Sequence, residues 1–153
     1  MGEARLESDA RAHLGKEKTM ESLTEFPVYS VLPCSDHERA KAWYQEKLGM
    51  TPETEEMGNA WYRCAGGTWV ILTTSQYAGT AQNTAAGFTV QGIESVMDDL
   101  RARGVEFLEY DMGEMGKTQN GLMAFGEYKV AWFKDSEGNI IELSQVPSPP
   151  ATQ

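Results

Sequence analysis

The side chains that most often carry chemistry are sparse in this sequence. The histidines are His13 and His37, and the cysteines are Cys34 and Cys64, with no Cys-x-x-Cys spacing. Two cysteines without that spacing favour buried free thiols over a disulfide framework or a zinc site. His13 lies in a charged N-terminal stretch, and His37 falls in the first turn of a predicted helix, where we expect it to be exposed. We identify no nucleophile and base pair, phosphate-binding glycine loop or histidine-containing triad.

A strand and a helix open the part of the sequence that we expect to fold. Residues 28–34 are rich in apolar and β-branched side chains, which predicts a strand. Ser35 and Glu38 have the spacing of a capping box that begins a helix, and Gly49 is placed to end it. The apolar residues of this helix recur at helical spacing and are Ala40, Trp43, Tyr44 and Leu48. We expect this stripe to pack behind the sheet.

Two more strands complete a first unit, over residues 60–65 and 68–74. They are joined at Gly66 and Gly67, which accept the positive φ of a tight hairpin turn. The order then repeats with a strand over residues 85–90 and a helix closed by Gly104. Its helix is predicted over residues 93–103, and the following strands over 106–111, 122–125, 130–134 and 140–145. Periodicity alone therefore predicts a mixed α+β protein of two similar halves.

Composition predicts one folded domain with flexible ends. The chain has 153 residues, of which 41% are hydrophobic and 24% charged, as in ordinary globular proteins. We expect a flexible N-terminal arm over residues 1–24, a domain over 25–146 and a flexible tail over 147–153. The proline-rich tail cannot continue a strand, because proline lacks the backbone donor.

Charge narrows the class of partner. The formal net charge is −10, with 13 Lys and Arg against 23 Asp and Glu. Such a field repels phosphate backbones and anionic lipid headgroups, so we expect neither nucleic acid nor a membrane as partner. The N-terminus lacks the apolar stretch of a secretory signal, and we expect the protein in the cytoplasm.

Three stretches resemble the vicinal oxygen chelate superfamily, which includes glyoxalase I, bleomycin and fosfomycin resistance proteins, and extradiol dioxygenases. The first is LPCSDHERAKAWYQEKLG at 32–49, with its aspartate, aromatic pair and Leu-Gly ending. The second runs from Phe88 through the helix that ends near Gly104. The third, AWFKDSEGNIIEL at 131–143, is the most specific. Together they span roughly residues 26–146.

The resemblance implies an architecture. Members consist of two βαβββ modules whose mixed sheets curl around a central cavity, often completed in a homodimer. Here the modules would cover about residues 26–75 and 84–146. Each half has one helix to cover one side of a short sheet, so the other side must face a ligand cleft or a partner.

The resemblance also assigns positions for a metal, and these positions are poorly filled. Metal-dependent members place one His, Gln or Glu ligand on each of four strands. The corresponding positions here hold Tyr29, Leu72, Ala85 and Glu142. Because a divalent ion needs three or four convergent donors, we expect no metal and no other cofactor.

Glu142 is the candidate catalytic residue, because a carboxylate in a largely apolar cavity can abstract a proton or bind a basic group. A purely structural role, in a bond to strand neighbours or an ion pair, is the alternative. The Gly- and Met-rich segment 110–128 suits a mobile flap over an apolar ligand, although a hairpin with core methionines explains it equally. The predicted ligand-binding residues are Tyr29, Val31, Trp61, Leu72, Ala85, Met112, Met123 and Glu142.

Three functions remain open from the sequence. The first is a metal-free cavity that binds a small, aromatic or hydrophobic molecule, as in the bleomycin resistance branch. The second is a lyase, isomerase or other enzyme that uses Glu142 with Tyr29, or a divalent metal held by unrecognised ligands. The third is an interaction protein with a collapsed cavity. A small-molecule ligand and self-association into a homodimer are the expected partners.

Overall fold

A repeated order of strand, helix and three strands organises the computed structural model, which describes residues 19–147. His13, the first 18 residues of the predicted arm and the last six of the predicted tail lie outside the described residues. The first module consists of β1 (Ser30–Cys34), α1 (His37–Leu48), β2 (Thr54–Glu56), β3 (Asn59–Arg63) and β4 (Trp69–Thr74). The second consists of β5 (Thr84–Thr89), α2 (Ile93–Ala102), β6 (Leu122–Phe125), β7 (Tyr128–Lys134) and β8 (Ile140–Gln145).

The two modules have the same sheet topology. The strand order is β1-β4-β3-β2 in the first sheet and β5-β8-β7-β6 in the second, with one parallel pair in each. The α+β class and the two βαβββ modules are therefore confirmed. The sheets are not closed into one: β1 and β5 lie side by side as the inner edges of two separate sheets.

The start of α1 corrects the predicted capping box. Asp36 is the N-cap, and its carboxylate accepts a hydrogen bond from the Arg39 backbone N–H at 3.0 Å. The Ser35 N–H instead donates to the carboxylate of Glu137, 102 positions along the chain. Ser35, which local spacing assigned to the N-cap, therefore makes a long-range contact with Glu137 instead.

Two strand predictions also need correction. β2 was not predicted, because its three residues are all exposed and show no apolar alternation. The predicted strand over 106–111 forms only isolated bridges, from Phe107 to Phe133 and from Asp111 to Lys117. β6 pairs with β7 as far as Ala131, so only the last three residues of β7 are left for this segment to pair with.

One face of each sheet packs against the helices to form a shared core. Tyr44 on α1 and Leu100 on α2 belong to the same buried cluster, together with Tyr62 and Phe133 from the two sheets. We call the opposite side of each sheet its outer face. No helix within residues 19–147 combines the length and apolar character needed to cross a bilayer.

The turn between β7 and β8 joins the modules through two buried carboxylates. Asp135 accepts a hydrogen bond from the Tyr44 hydroxyl at 2.7 Å and from the backbone N–H groups of Glu137 and Asn139 at 2.9 Å each. The Asn139 amide in turn donates to the Pro33 carbonyl at 2.9 Å. The turn of one module is thereby fixed to β1 and α1 of the other.

Glu137 is the second buried carboxylate of this turn. Its side chain is fully buried and accepts hydrogen bonds from the N–H groups of Ser35 and Asp36 and from the Arg39 guanidinium. Burial alone raises the pKa of the Glu137 carboxyl, but the bonds from Arg39, Asp36, Ser136 and Ser35 outweigh it and lower the pKa to about 2. The ionised form of Glu137 therefore stabilises the contact between the two modules.

We predict that Glu137→Gln lowers the free energy of unfolding by roughly 3 kcal/mol at pH 7. The pKa is depressed from its ordinary value of 4.5, so the contribution is present above pH 4.5 and is lost as the pH falls toward 2. Urea unfolding of wild type and variant between pH 7 and pH 3 measures this difference. Glu127→Gln, at an exposed turn position, is the control. A deficit that stays constant over this range would contradict the assignment.

Candidate functional site

The outer face of the first sheet carries a row of aromatic side chains. The Trp61 ring centroid lies 5.9 Å from that of Tyr29 and 6.3 Å from that of Trp69. The guanidinium of Arg63 lies over the Trp69 ring at 4.5 Å. Val31, beside this row, is 51% exposed. This face is therefore mostly aromatic and apolar, and part of it is exposed to solvent.

The outer face of the second sheet carries the Glu142 carboxylate, which two hydrogen bonds hold in place. Trp132 on β7 lies directly opposite Glu142 on β8, and its indole N–H donates to one carboxylate oxygen at 2.9 Å. The Ser144 hydroxyl donates to the other oxygen at 3.0 Å. Each oxygen thus has one neutral donor and keeps a lone pair for a ligand. The orientation of Glu142 is set before any ligand arrives.

A cleft of about 360 Å³ lies over this carboxylate. Its lining includes Met112, Met115, Met123, Phe125, Tyr128, Trp132 and Glu142. Met123 is buried in the floor, whereas Met112 and Met115 come from the segment before β6 and are partly exposed. Methionine and aromatic side chains adapt to irregular apolar ligands.

The segment that covers the cleft is a short hairpin with an anchored base. The backbones of Asp111 and Lys117 form an isolated antiparallel β-bridge, and the Met112 N–H donates to the Gly116 carbonyl at 2.8 Å. Below this, the buried Thr118 hydroxyl accepts from the Tyr110 N–H at 2.8 Å and donates to the Glu109 carboxylate. We call residues 111–117 the flap. Met112 and Met115 of this segment line the cleft, and the nearby Met123 is buried, as a hairpin with core methionines requires. The role of a mobile flap over a ligand stays a prediction.

The predicted site residues fall into two groups and two exceptions. Met112, Met123 and Glu142 meet at the cleft of the second sheet. Tyr29, Val31 and Trp61 share the outer face of the first sheet. The exceptions are Leu72 and Ala85, which lie on neither outer face.

Leu72 and Ala85 need correction for a geometric reason. Leu72 is fully buried in the core beneath α1, because it pairs with Leu32 and so points to the opposite face from Val31. Ala85 sits at a register shift in β5 and packs against the same core. Strand alternation and one bulge therefore remove both residues from the outer faces.

His37 is not the exposed side chain that we expected. Its Nε2 lies 3.6 Å from a carboxylate oxygen of Glu55, and its Nδ1 lies 3.9 Å from the Cys34 sulfur. Cys34 is fully buried, and burial raises the pKa of its thiol. The thiol is therefore kept protonated and away from solvent, as the sequence predicted for a structural cysteine.

The donor set does not fit the metal centre that the resemblance implies. Of the four corresponding positions, only Tyr29 and Glu142 carry a side-chain oxygen, whereas the other two hold Leu72 and Ala85. Across residues 19–147, no three His, Cys, Asp or Glu side chains converge to hold an ion. A divalent ion would lack the three or four donors that it needs.

Sequence reasoning missed Trp132, Ser144 and Met115 as site residues. The signal for Trp132 was available in the turn at residues 135–139. Lys134 and Ile140 flank this turn and would pair with each other. Moving two residues away from the turn on each strand then places Trp132 opposite Glu142, as observed. No comparable count applies to Met115, because its position depends on the path of a loop.

Comparisons with known proteins agree with this architecture. Residues 27–143 match the model of the Glyoxalase/Bleomycin resistance protein/Dioxygenase superfamily. A search of curated protein sequences gave no match.

Solved structures of similar fold come from several bacteria. A glyoxalase/bleomycin resistance protein from Catenulispora acidiphila is 20% identical, with a TM-score of 0.58, over 80% of this chain and 99% of that one. A fosfomycin resistance protein from Listeria monocytogenes is 17% identical, with a TM-score of 0.57, over 84% and 96%. A virulence protein from Salmonella typhimurium is 20% identical, with a TM-score of 0.53, over 78% and 94%. At these identities the likeness shows the fold alone.

The base of the flap yields a stability prediction. A Cβ on Gly121 would lie 2.5 Å from the Phe107 Cβ, at a φ of +77°. Gly126 has a φ of +61° with no atom within 4 Å, so Gly126→Ala bears only the backbone strain. We expect about 1 kcal/mol of destabilisation for Gly126→Ala and about 2 kcal/mol more for Gly121→Ala. Equal losses in thermal or urea unfolding would show that the Gly121 contact is not restrictive.

Proposed function

This chain belongs to the Glyoxalase/Bleomycin resistance protein/Dioxygenase superfamily. We propose that it binds a small, aromatic or hydrophobic molecule on the outer face of its second sheet, without a metal ion. The observation that carries this proposal is the pre-oriented Glu142 carboxylate at the floor of a cleft walled by methionine and aromatic side chains. A mostly apolar cleft with a few fixed polar groups is the usual form of a small-molecule site.

The charge of the cleft favours a ligand with a cationic or hydrogen-donating group. The two donors that hold Glu142 are neutral, so they leave its negative charge uncompensated. Lys129 also lines the cleft, but its ammonium pairs with Glu94 on α2. The net charge of −10 adds to this preference. A flat aromatic body would pack against the methionines, and its charged end would meet Glu142.

We further propose that the protein works in the cytoplasm as a homodimer. The two free thiols, Cys34 and Cys64, suit a reducing compartment. The outer face of the first sheet leaves Tyr29 and Val31 more than half exposed, and a second copy would cover this apolar surface. Nucleic acid and membrane surfaces remain disfavoured as partners by the acidic charge.

The ligand class is tested with 1-naphthylmethylamine, an aromatic body that carries one ammonium group. We expect saturable binding by isothermal titration calorimetry, and a loss of about tenfold or more in affinity for Glu142→Gln, because the ion pair is removed. Glu21→Gln, at an exposed position, is the matched control. The neutral analogue 1-naphthalenemethanol should respond much less to Glu142→Gln.

Two outcomes would overturn the proposed function. One is equal affinity of wild type and Glu142→Gln for the amine, or no binding of either probe. The other is chemical conversion of a bound ligand by metal-free protein, abolished by Glu142→Gln, which would make the protein an enzyme. Mass spectrometry of the recovered ligand distinguishes binding from conversion.

The dimer is tested separately by light scattering after size-exclusion chromatography. We expect a dimer mass for wild type and a monomer for Val31→Glu, which places a charge on the outer face of the first sheet. Tyr77→Glu changes another exposed apolar residue, 67% exposed in the segment between the modules, and should stay dimeric. A monomeric wild type at about 100 μM would rule out a stable dimer.

A further inference from the structure

Two chambers of different chemistry meet at Glu142. The first is the 360 Å³ cleft described above, here called the methionine chamber, which is lined by Met115, Met123, Phe125 and Tyr128 among others. The second, here called the amide chamber, has about 230 Å³ and includes Gln82, Asn83, Thr84 and Tyr110. It brings side chains of the inter-module linker to the site, which the sequence analysis did not assign to it.

Three side chains line both chambers and so form the wall between them, namely Met112, Trp132 and Glu142. Trp132 is fixed, because it is buried, bonded to Glu142 and packed edge-on against Tyr110 with ring centroids 5.2 Å apart. Glu142 is held by two hydrogen bonds. Met112 is 39% exposed and has an apolar side chain with three rotatable bonds. It is the movable member of the wall.

The flap allows this movement without disturbing the floor. Its base is fixed by Glu109, which accepts from the Gly121 N–H at 2.6 Å and from the Thr118 hydroxyl. Its tip, Gly113–Met115, is a single exposed turn with no buried residue. Met112 lies between this base and tip, so its side chain can turn aside while Trp132 and Glu142 stay in place.

We infer that Met112 is a specificity-determining residue that divides one binding site into two chambers, and that the ligand is an elongated amphiphile reaching across it. The apolar body would fill the methionine chamber, a donor group would bind Glu142, and a neutral polar end would reach Gln82 and Asn83. The Asn83 amide N–H donates to the Thr84 carbonyl at 3.1 Å, which leaves its own oxygen to accept from the ligand. This inference rests on the proposed function and specifies the ligand class.

The test compares two probes that share a naphthylmethyl amine and differ in whether the amine carries a short arm ending in an amide. The short probe is 1-naphthylmethylamine, and the long probe is N-(1-naphthylmethyl)-β-alaninamide, in which the same amine carries a primary amide on a short arm. Affinities are measured by calorimetry for wild type, Met112→Ala and Met57→Ala. Met57 is 99% exposed at the β2–β3 turn and serves as the matched methionine control.

Met112 also lines the methionine chamber, so its loss affects both probes. We expect Met112→Ala to raise the ratio of long-probe to short-probe affinity about fivefold or more. Met57→Ala should change neither affinity. Asn83→Ala should lower the affinity for the long probe alone. Equal effects of Met112→Ala on both probes, or no effect on either, would overturn the inference while leaving the proposed function intact. Failure of wild type to bind the short probe would instead overturn the proposed function, and the inference with it.

A second measurement locates the probe independently of affinity. In protein labelled with ¹³C at the methionine methyl groups and uniformly with ¹⁵N, the long probe should shift the Met112 methyl signal and the Asn83 side-chain amide signal. The short probe should shift Met123 and leave the Asn83 amide unchanged. A long probe that leaves the Asn83 amide unmoved would show that the amide chamber is not part of the site.

Discussion

The site depends on two carboxylates that it does not contain. Asp135 and Glu137 are buried in the turn between β7 and β8, and their partners include Tyr44, Ser35 and Arg39 of the first module. Removing charges from water is costly unless hydrogen bonds replace the lost hydration, and here donors from the backbone, Tyr44 and Arg39 replace it. The same turn sets the register of the hairpin, and that register places Trp132 opposite Glu142.

The two outer faces differ although the modules share one topology. The first presents rings, from Tyr29 to Trp69, and the second presents sulfur atoms and a carboxylate beneath a flap. The difference arises from the length of one connection: the stretch between α1 and β2 spans five positions, whereas the equivalent stretch between α2 and β6 spans 19 and includes the flap. One backbone plan thus provides an open platform on one side and a covered cleft on the other.

Much of the fold could be predicted from the sequence, because glycine turns and apolar periodicity fix most elements. Gly66 and Gly67 take the expected positive φ, and Tyr44 lies in the core as its spacing required. The site was harder, because it depends on strand parity and on loops. Leu72 was assigned to the wrong face by a family position rather than by its pairing with Leu32. The strand predicted over 106–111 did not form, because most of the edge of β7 pairs with β6. Alternation of apolar and polar residues does not show whether a partner strand is available.

The placement of Glu142 has a consequence for how this molecule can change. Its neighbours along β8, Ile141 and Leu143, are core residues, so any shift of the carboxylate would disturb the packing of the whole domain. The flap tip has no such link, since none of its residues is buried. Substitutions at the tip can therefore alter which molecules fit at little cost in folding stability, whereas any movement of the backbone that carries Glu142 displaces core residues.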